Sequence, residues 1–421
     1  MSLKQDLKLF PHAHIVKKSV GLELEVTHIL REDEEQVVYF SDLAGFPAVG
    51  NLWSTRERVC EALGISREKL LFAILEAIHH PMKERLTREA DFLPGEVKGF
   101  DLRRDLPAPQ WYPKEPGRYL TSAIVAAEWE GKRNLSYHRM LILDERRLVA
   151  RLVPRHLKAM MDTALDRGKE IHVGIFIGAP LPVLLAGAMS LEYDSDELRI
   201  AASLTMATTG KALDVVQLGN GILVPSDCEY VMEGRITGEL HEEGPFVDGT
   251  GTYDKVRMEP VFEVERLYRR PEAVYHLILS GGMEHHTLMG MPREPLIYEA
   301  VKRVVPHVQS VRLTEGGSSW LHGVVAIRKQ HEGDGKNAIM AALAGHTSMK
   351  MVTIVDEDID IYDDRDVEWA VATRFQADRD LVLIHSAKGS SIDPSAGATT
   401  SKMGVDATKT LGHTEFDKPT L

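Results

Sequence analysis

The sequence predicts a multidomain α+β protein: an N-terminal α/β segment, a β-rich middle with inserted helices, and a small C-terminal α/β domain. Three observations predict it. The chain has 421 residues, too many for one ordinary hydrophobic core, so two or three domains are expected. A proline-rich stretch with little periodicity, residues 92–116, separates an α/β beginning from a run of period-two segments. After Met291 strand and helix patterns alternate. We therefore expect domains over residues 1–105, 106–291 and 292–421.

Taken in order, Ser54 with Glu57 three residues later reads as a capping box opening a helix that Gly64 can close. Ser66 starts a second helix with Leu70, Leu71, Ile74, Leu75 and Ile78 on its apolar face, ended by Pro81. Strands are expected at 136–143, 147–153, 172–177, 213–218, 228–236, 256–267 and 273–279. Two helices interrupt them, one starting at Pro154 and running to Gly168, the other starting near Ser195. This describes a barrel or sandwich rather than a doubly wound sheet. In the last domain helices are expected at 294–304, 336–343 and 367–373, and strands at 310–313, 323–327, 349–355 and 381–384. The tail from Ser386, rich in Gly, Ser, Thr and Lys, reads as an extended arm.

Composition excludes several roles. A net charge of −13 repels phosphate backbones, so nucleic acid is not an expected partner. Cys60 and Cys228 are the only cysteines and stand far apart, which leaves neither a disulfide framework nor a thiolate zinc site and suits a reducing cytoplasm. The N-terminal residues lack the apolar run of a signal peptide. Residues 171–191 carry no formal charge, but Gly174, Gly178, Pro180 and Pro182 break them into strand, turn and short helix, so no membrane span is expected. Phosphate-loop, zincin, nucleophile-elbow and dinucleotide-binding signatures are missing.

Four segments hold residues suited to chemistry. In Glu243-Gly-Pro-Phe-Val-Asp248 a Gly-Pro pair forces irregular backbone between two carboxylates straight after a strand. It reads either as a turn with two solvated acids or as a general-acid site, which would need a desolvated carboxyl and a nearby cation. Asn134-Leu-Ser-Tyr-His-Arg139 offers a cation, with Asn134, Ser136 and His138 on one strand face and Tyr137 and Arg139 on the other. His156 follows Pro154 at a helix start, where the dipole favours an anion, and Glu197 sits in the first turn of another helix. Each also has a plain explanation as a surface or capping residue.

In this order and spacing, Asn134-x-Ser-x-x-Arg139, Pro154-x-His156, Glu197 after the Ala186–Met189 stretch, and Glu243-Gly-Pro-Phe-x-Asp248 resemble the UbiD family of decarboxylases that depend on prenylated FMN. The C-terminal segments Asp356-Glu-Asp-Ile-Asp, Val367-Glu-Trp-Ala-Val-Ala-Thr-Arg374 and Ser401-Lys-Met-Gly-Val-Asp406 resemble it as well. The resemblance covers most of the chain. It implies a central split β-barrel that binds the flavin and a C-terminal α/β domain that assembles a dimer or hexamer.

The resemblance further implies that Asn134, His156 and Glu197 hold a divalent cation on the flavin phosphate. Two oxygen donors and one imidazole suit Mn2+ or Mg2+ better than Zn2+. A potassium ion on carbonyls of Ala186–Met189 belongs to the same picture, with Ser136, Arg139 and Met189 beside the cofactor. Arg139, Glu243 and Asp248 are then the catalytic trio. Arg139 clamps the substrate carboxylate, Glu243 returns the proton after cycloaddition and loss of carbon dioxide, and Asp248 biases that proton by like-charge repulsion. A flavin prenyltransferase would supply the cofactor. Candidate substrates are furan (di)carboxylates, anhydromevalonate phosphate and hydroxybenzoate-type acids. His285, His286, Arg293, Arg312 and His322 are candidate partners for a second anionic group. A reductase using unmodified flavin and a non-catalytic assembly protein on the same fold stand as alternatives.

Overall fold

The computed structural model describes residues 3–418. The chain forms two compact units, Met1–Leu288 and Met289–Leu421.

The first unit is organised by an eight-stranded antiparallel sheet. Its spatial order is Tyr119–Leu120, Met140–Ile142, Arg147–Ala150, Arg257–Arg269, Tyr230–Glu243, Ile171–Ile177, Ile124–Trp129 and Lys132–Tyr137. Chain connectivity dictates that this sheet curls. Tyr137 ends the last strand in that order and Met140 begins the second, so the two ends are at most about 10 Å apart along the chain. In a flat sheet those strands would lie about 29 Å apart. The result is a half-barrel whose seam is His138-Arg139. The expected strand over 136–143 is therefore two strands broken at the seam: the His138 N–H still bonds the Ala123 carbonyl on one side, and the Arg139 carbonyl accepts the Arg151 N–H on the other. Inside the curl, the helix His156–Asp166 buries Leu157, Met160, Met161 and Ala164 in the same core as Val173, Ile175, Met232 and Phe262. The uncharged stretch becomes the strand Ile171–Ile177 and the helix Leu181–Gly187, and among the described residues no helix is long and apolar enough to cross a membrane.

Three smaller sheets complete this unit, one of them the two-stranded pair Phe246–Val247 and Tyr253–Asp254. Another orders His14–Val16, Val38–Leu43, Phe46–Gly50 and Tyr275–Leu277, so the strand expected at 273–279 leaves the half-barrel and pairs parallel with Phe46–Gly50. The third orders Leu223–Pro225, Asp214–Gln217 and Arg85–Thr87. The helix expected from Ser54 is Arg56–Leu63, capped by Thr55, whose hydroxyl accepts the Arg58 N–H. Ser54 is turned away to the Asn51 carbonyl, which is why it cannot close the capping box. Gly64 ends this helix in the left-handed region.

The second unit is a five-stranded sheet ordered Val308–Leu313, His322–Ile327, Met351–Asp356, Thr400–Ala407 and Leu381–Ala387. Its three inner strands are parallel and both edges antiparallel. The tail is thus not an extended arm. Thr400–Ala407 is an inner strand, with Val405 and Ala407 in the core and Gly404 facing Ile339. The polar residues on either side of it dilute a strand signal that rests on alternate residues.

A Cβ on Gly404 would stand 2.1 Å from Ile339 Cγ2, whereas one on Gly316 meets nothing within 4 Å. Gly404→Ala is expected to cost roughly 1–3 kcal/mol in thermal or denaturant unfolding, and Gly316→Ala less than about 0.5 kcal/mol. Equal effects would contradict the inner placement of the tail strand.

Candidate active site

The seam gathers one guanidinium and three carboxylates. Arg139 donates from Nε to Glu243 Oε1 at 2.9 Å and from Nη2 to Glu243 Oε2 at 2.8 Å. It also donates from Nη1 to Asp248 Oδ2 at 2.6 Å and from Nη2 to Asp254 Oδ2 at 3.1 Å. The Arg139 side chain is 8% exposed, Glu243 0%, Asp254 9% and Asp248 23%, so Asp248 is the member nearest solvent. Phe246 covers the guanidinium, with Cζ 4.7 Å from its ring centroid. Burial alone would lower the Arg139 pKa, but the Glu243 bond and the three negative charges outweigh it and raise it.

Local sequence sets this up. Strand Tyr230–Glu243 is longer than expected and carries Glu243 at its end. Gly244, at φ 94, turns the chain where a Cβ would stand 3.0 Å from the Lys255 carbonyl, and its N–H donates to Tyr119 Oη at 3.2 Å. Phe246–Val247 then pairs with Tyr253–Asp254, which brings Asp248 and Asp254 back toward the seam.

The second group hangs on the same segment, five residues earlier. Asn134 Nδ2 lies 3.3 Å from Glu197 Oε1, His156 Nδ1 lies 3.7 Å from the same oxygen, and the Leu135 N–H donates to Glu197 Oε2 at 3.1 Å. Arg133 pins the strand to the start of the helix Glu197–Thr209, with Nη1 on Glu84 at 2.6 Å and Nε on Asp196 at 2.9 Å. Among the described residues no cluster of three His, Cys, Asp or Glu side chains could hold a metal, so a cation here depends on the Asn134 amide as third donor.

Proton bookkeeping favours that donor. His138 Nδ1 faces the Arg151 carbonyl at 2.9 Å and must donate to it. Burial presses the His138 pKa down to about 4, so the ring is neutral and Nε2 accepts. Nε2 lies 2.9 Å from Ser136 Oγ, which is also 2.9 Å from Asn134 Oδ1, yet the hydroxyl has one hydrogen. Both contacts are satisfied only if Ser136 donates to His138 and accepts from the Asn134 amide N–H, since amide oxygen and nitrogen are interchangeable in shape. The amide oxygen then faces the Glu197 carboxylate, a repulsive pairing that a cation between them reverses. The residues present therefore fit a divalent ion with oxygen and imidazole donors.

Met189 is buried just after the helix Leu181–Gly187, and its N–H donates to the Ala186 carbonyl at 3.1 Å. Among the second-anion candidates, burial holds the His285 pKa at about 4, and its Nδ1 accepts the Gly281 N–H. His286 Nε2 contacts the Gly249 carbonyl, in the loop between Phe246–Val247 and Tyr253–Asp254. In the second unit Arg312 bonds Asp364, Glu315 and the Ile361 carbonyl, His322 lies between Thr314 and Thr353, and Arg293 stacks on Trp320.

Two acids escaped the sequence reading. Asp254 lies outside the Glu-Gly-Pro-Phe-x-Asp run, and only its register opposite Phe246 places it on Arg139. Glu115 sits in the proline-rich stretch. Its Oε2 accepts the N–H groups of Trp111 at 2.9 Å and Tyr112 at 3.0 Å, and Oε1 faces the Val247 N–H at 3.5 Å.

A half-barrel carrying a buried guanidinium among acids, beside an amide, an imidazole and a carboxylate, holds the groups that acid–base chemistry uses. Comparison with known proteins makes this specific. The chain matches the N-terminal domain of 3-octaprenyl-4-hydroxybenzoate carboxy-lyase over residues 7–78, its Rift-related domain over 87–283 and its C-terminal domain over 286–407. The chain belongs to the UbiD family of carboxy-lyases. It is 43% identical over 409 residues to the anhydromevalonate phosphate decarboxylase of Methanocaldococcus jannaschii, covering 93% of this chain and 94% of that protein. Among solved structures it resembles the UbiD-class enzyme HmfF from Pelotomaculum thermopropionicum in complex with FMN, with TM-score 0.95, 33% identity, and coverage of 100% of this chain and 97% of that one. An evolved dimeric form of HmfF in complex with prFMN gives TM-score 0.91 and 32% identity, with the same coverage.

Burial, partly offset by its backbone N–H bonds and the charge of Arg139, pushes the Glu115 carboxyl from 4.5 to about 7. Its folded form therefore binds the proton more tightly than the unfolded chain. The sign follows: stability falls as pH rises from about 4.5 to about 7 and is level above, by on the order of 3 kcal/mol. Glu115→Gln is expected to flatten the fall in unfolding midpoint between pH 5 and pH 8. An unchanged slope would contradict this assignment.

Proposed function

We propose that this chain catalyses the reversible, non-oxidative decarboxylation of an α,β-unsaturated acid with prenylated FMN, and that its substrate is anhydromevalonate phosphate. The observation that carries the reading is the bidentate pairing of Arg139 with a fully buried Glu243, in one cluster with Asp248. The substrate rests on the 43% identity to a decarboxylase of that acid.

Prenylated FMN, when bound, would supply the electron sink for loss of carbon dioxide. The chain's residues do the rest. The Arg139 charge draws in the substrate carboxylate, which takes the remaining Nη1 N–H and competes for the one held by Asp248, the least buried of the three acids. The departing charge leaves Glu243 as the proton carrier. Protonated Glu243 gives its hydrogen to the carbon that lost the carboxyl group, and in the carboxylation direction takes it back. Asp248, sharing Arg139, places a second negative charge beside Glu243. Tyr119, through the Gly244 N–H, keeps the loop beyond Glu243 in place.

In the same reading Asn134, His156 and Glu197 hold Mn2+ or Mg2+ against the flavin phosphate, which would neutralise the phosphate and fix the ring system's position. A potassium ion on carbonyls of Ala186–Met189, and Ser136 and Met189 beside the flavin, belong to this proposal. So do cofactor supply by a flavin prenyltransferase, a flavin domain at 106–291 between an N-terminal domain and an assembly domain at 292–421, and a dimer or hexamer in the cytoplasm. A reductase has no use for an acid locked to a carboxylate-binding guanidinium, which disfavours that alternative.

Coexpression with a flavin prenyltransferase, followed by mass and absorbance of the bound flavin and carbon dioxide release from anhydromevalonate phosphate, tests the reading. Glu243→Gln is expected to keep the flavin and lose turnover by at least about a hundredfold. Turnover at the parent rate would overturn the acid assignment. His156→Ala is expected to lose divalent metal and flavin together, measured by elemental analysis and absorbance, and full retention of both would overturn the clamp.

A further inference from the structure

We propose that His138 is a positioning residue for the divalent cation: acting through Ser136, its acceptor nitrogen decides which end of the Asn134 amide faces Glu197. The inference rests on the reading of Asn134, His156 and Glu197 as the cation's donors, and it names a residue outside that set.

Strand alternation brings Asn134, Ser136 and His138 to one face of the chain as it leaves the strand Lys132–Tyr137. Their side chains are linked in that order. Ser136 Oγ lies 2.9 Å from the Asn134 amide and 2.9 Å from His138 Nε2, and His138 Nδ1 lies 2.9 Å from the Arg151 carbonyl. Asn134 and His138 are buried and Ser136 is half-buried, so these groups depend on one another for their hydrogen bonds. Backbone bonds fix both ends of the series: the His138 N–H bonds the Ala123 carbonyl, and the Arg151 N–H bonds the Arg139 carbonyl.

The hydrogen atoms allow two settings. When Nε2 of His138 accepts, the single Ser136 hydrogen goes to it, the hydroxyl oxygen accepts from the Asn134 NH2 group, and the amide atom 3.3 Å from Glu197 Oε1 is the oxygen. When nothing at position 138 accepts, the hydroxyl donates to the amide oxygen instead, and the amide nitrogen turns to Glu197 and bonds it directly. The first setting offers a cation an oxygen; the second offers it an N–H group already paired with the carboxylate. A carbonyl can only accept, so Arg151 holds the proton on Nδ1, and burial keeps the ring neutral by lowering its pKa to about 4. The first setting is therefore built into the protein.

Asn134 is the donor that needs such a device. Glu197 presents oxygen whichever way its carboxylate turns, and the Leu135 N–H already orients it at 3.1 Å. A half-turn of the Asn134 amide, by contrast, exchanges a ligand for a competitor. Cation affinity thus depends on an imidazole that touches neither the ion nor its ligands.

Mn2+ binding to the full-length protein in saturating FMN, read as loss of the free-ion electron paramagnetic resonance signal, tests this. His138→Phe keeps a ring of similar size and removes the acceptor, and it is expected to weaken Mn2+ binding about tenfold or more. Ser136→Ala lets the amide turn either way and is expected to weaken binding less. Adding Ser136→Ala to His138→Phe should bring the affinity back to that of Ser136→Ala alone, because the hydroxyl that pinned the amide the wrong way is gone. Altered packing at position 138 and the stranded Arg151 carbonyl are common to His138→Phe and the double variant, so a merely structural role predicts no recovery.

Unchanged Mn2+ affinity in His138→Phe or in Ser136→Ala, or a double variant that binds no better than His138→Phe, would overturn the proposal and leave the cation reading in place. A parent protein that takes up no Mn2+ in the presence of FMN would instead overturn the cation reading itself.

Discussion

Burial of the Arg139 guanidinium among carboxylates is the constraint on which the rest of the first unit depends. Removing one such charge from water costs several kcal/mol, and only well-aimed partners offset it. The long strand ending at Glu243, the glycine turn at Gly244, and the short ladder of Phe246–Val247 with Tyr253–Asp254 each deliver one partner. Leaving any of these charges buried without its partner would cost about 3–5 kcal/mol, a large share of the 5–15 kcal/mol by which a domain is stable at all. Apolar side chains of similar volume would stabilise the seam as well or better. What they could not do is set carboxyl groups directly against a buried guanidinium.

The same seam ties the acid cluster to the group formed by Asn134, His156 and Glu197. Asn134 and Arg139 lie on one short segment that leaves the last strand of the half-barrel and enters the second, so closing the sheet and placing the two groups are one event. Between them Ser136 and His138 form a hydrogen-bonded chain to the Arg151 carbonyl, which orients the Asn134 amide. Arg133 does the equivalent for Glu197 by bonding Asp196, the residue that caps its helix.

Much of this was legible in the sequence, and the exceptions have physical causes. The order of strands and helices followed from periodicity. His156, Glu197, Glu243 and Asp248 stood out beside a proline, a helix start or a Gly-Pro pair, Asn134 and Arg139 only as a polar run entering a strand, and it was the family resemblance that joined the six. Asp254 could not be read, because its place depends on which strand pairs with Phe246–Val247, and nothing in Tyr-Asp-Lys-Val announces a partner. Glu115 was hidden in a stretch without periodicity, where burial comes from tertiary packing. The break at His138 was hidden by apolar residues on both sides of it, and the inner strand Thr400–Ala407 by its polar surroundings. In each case the missing information was a long-range contact.

A double-mutant cycle on the thermal stability of the apo-protein tests most directly whether Arg139 is the hub. Arg139→Met alone should be severely destabilising, because it strands buried carboxylates. Adding Glu243→Gln should return part of that loss, with a coupling of about 2 kcal/mol or more. Costs that simply add would mean that the guanidinium and the carboxylate are neighbours without being partners, and the account built on their pairing would fall.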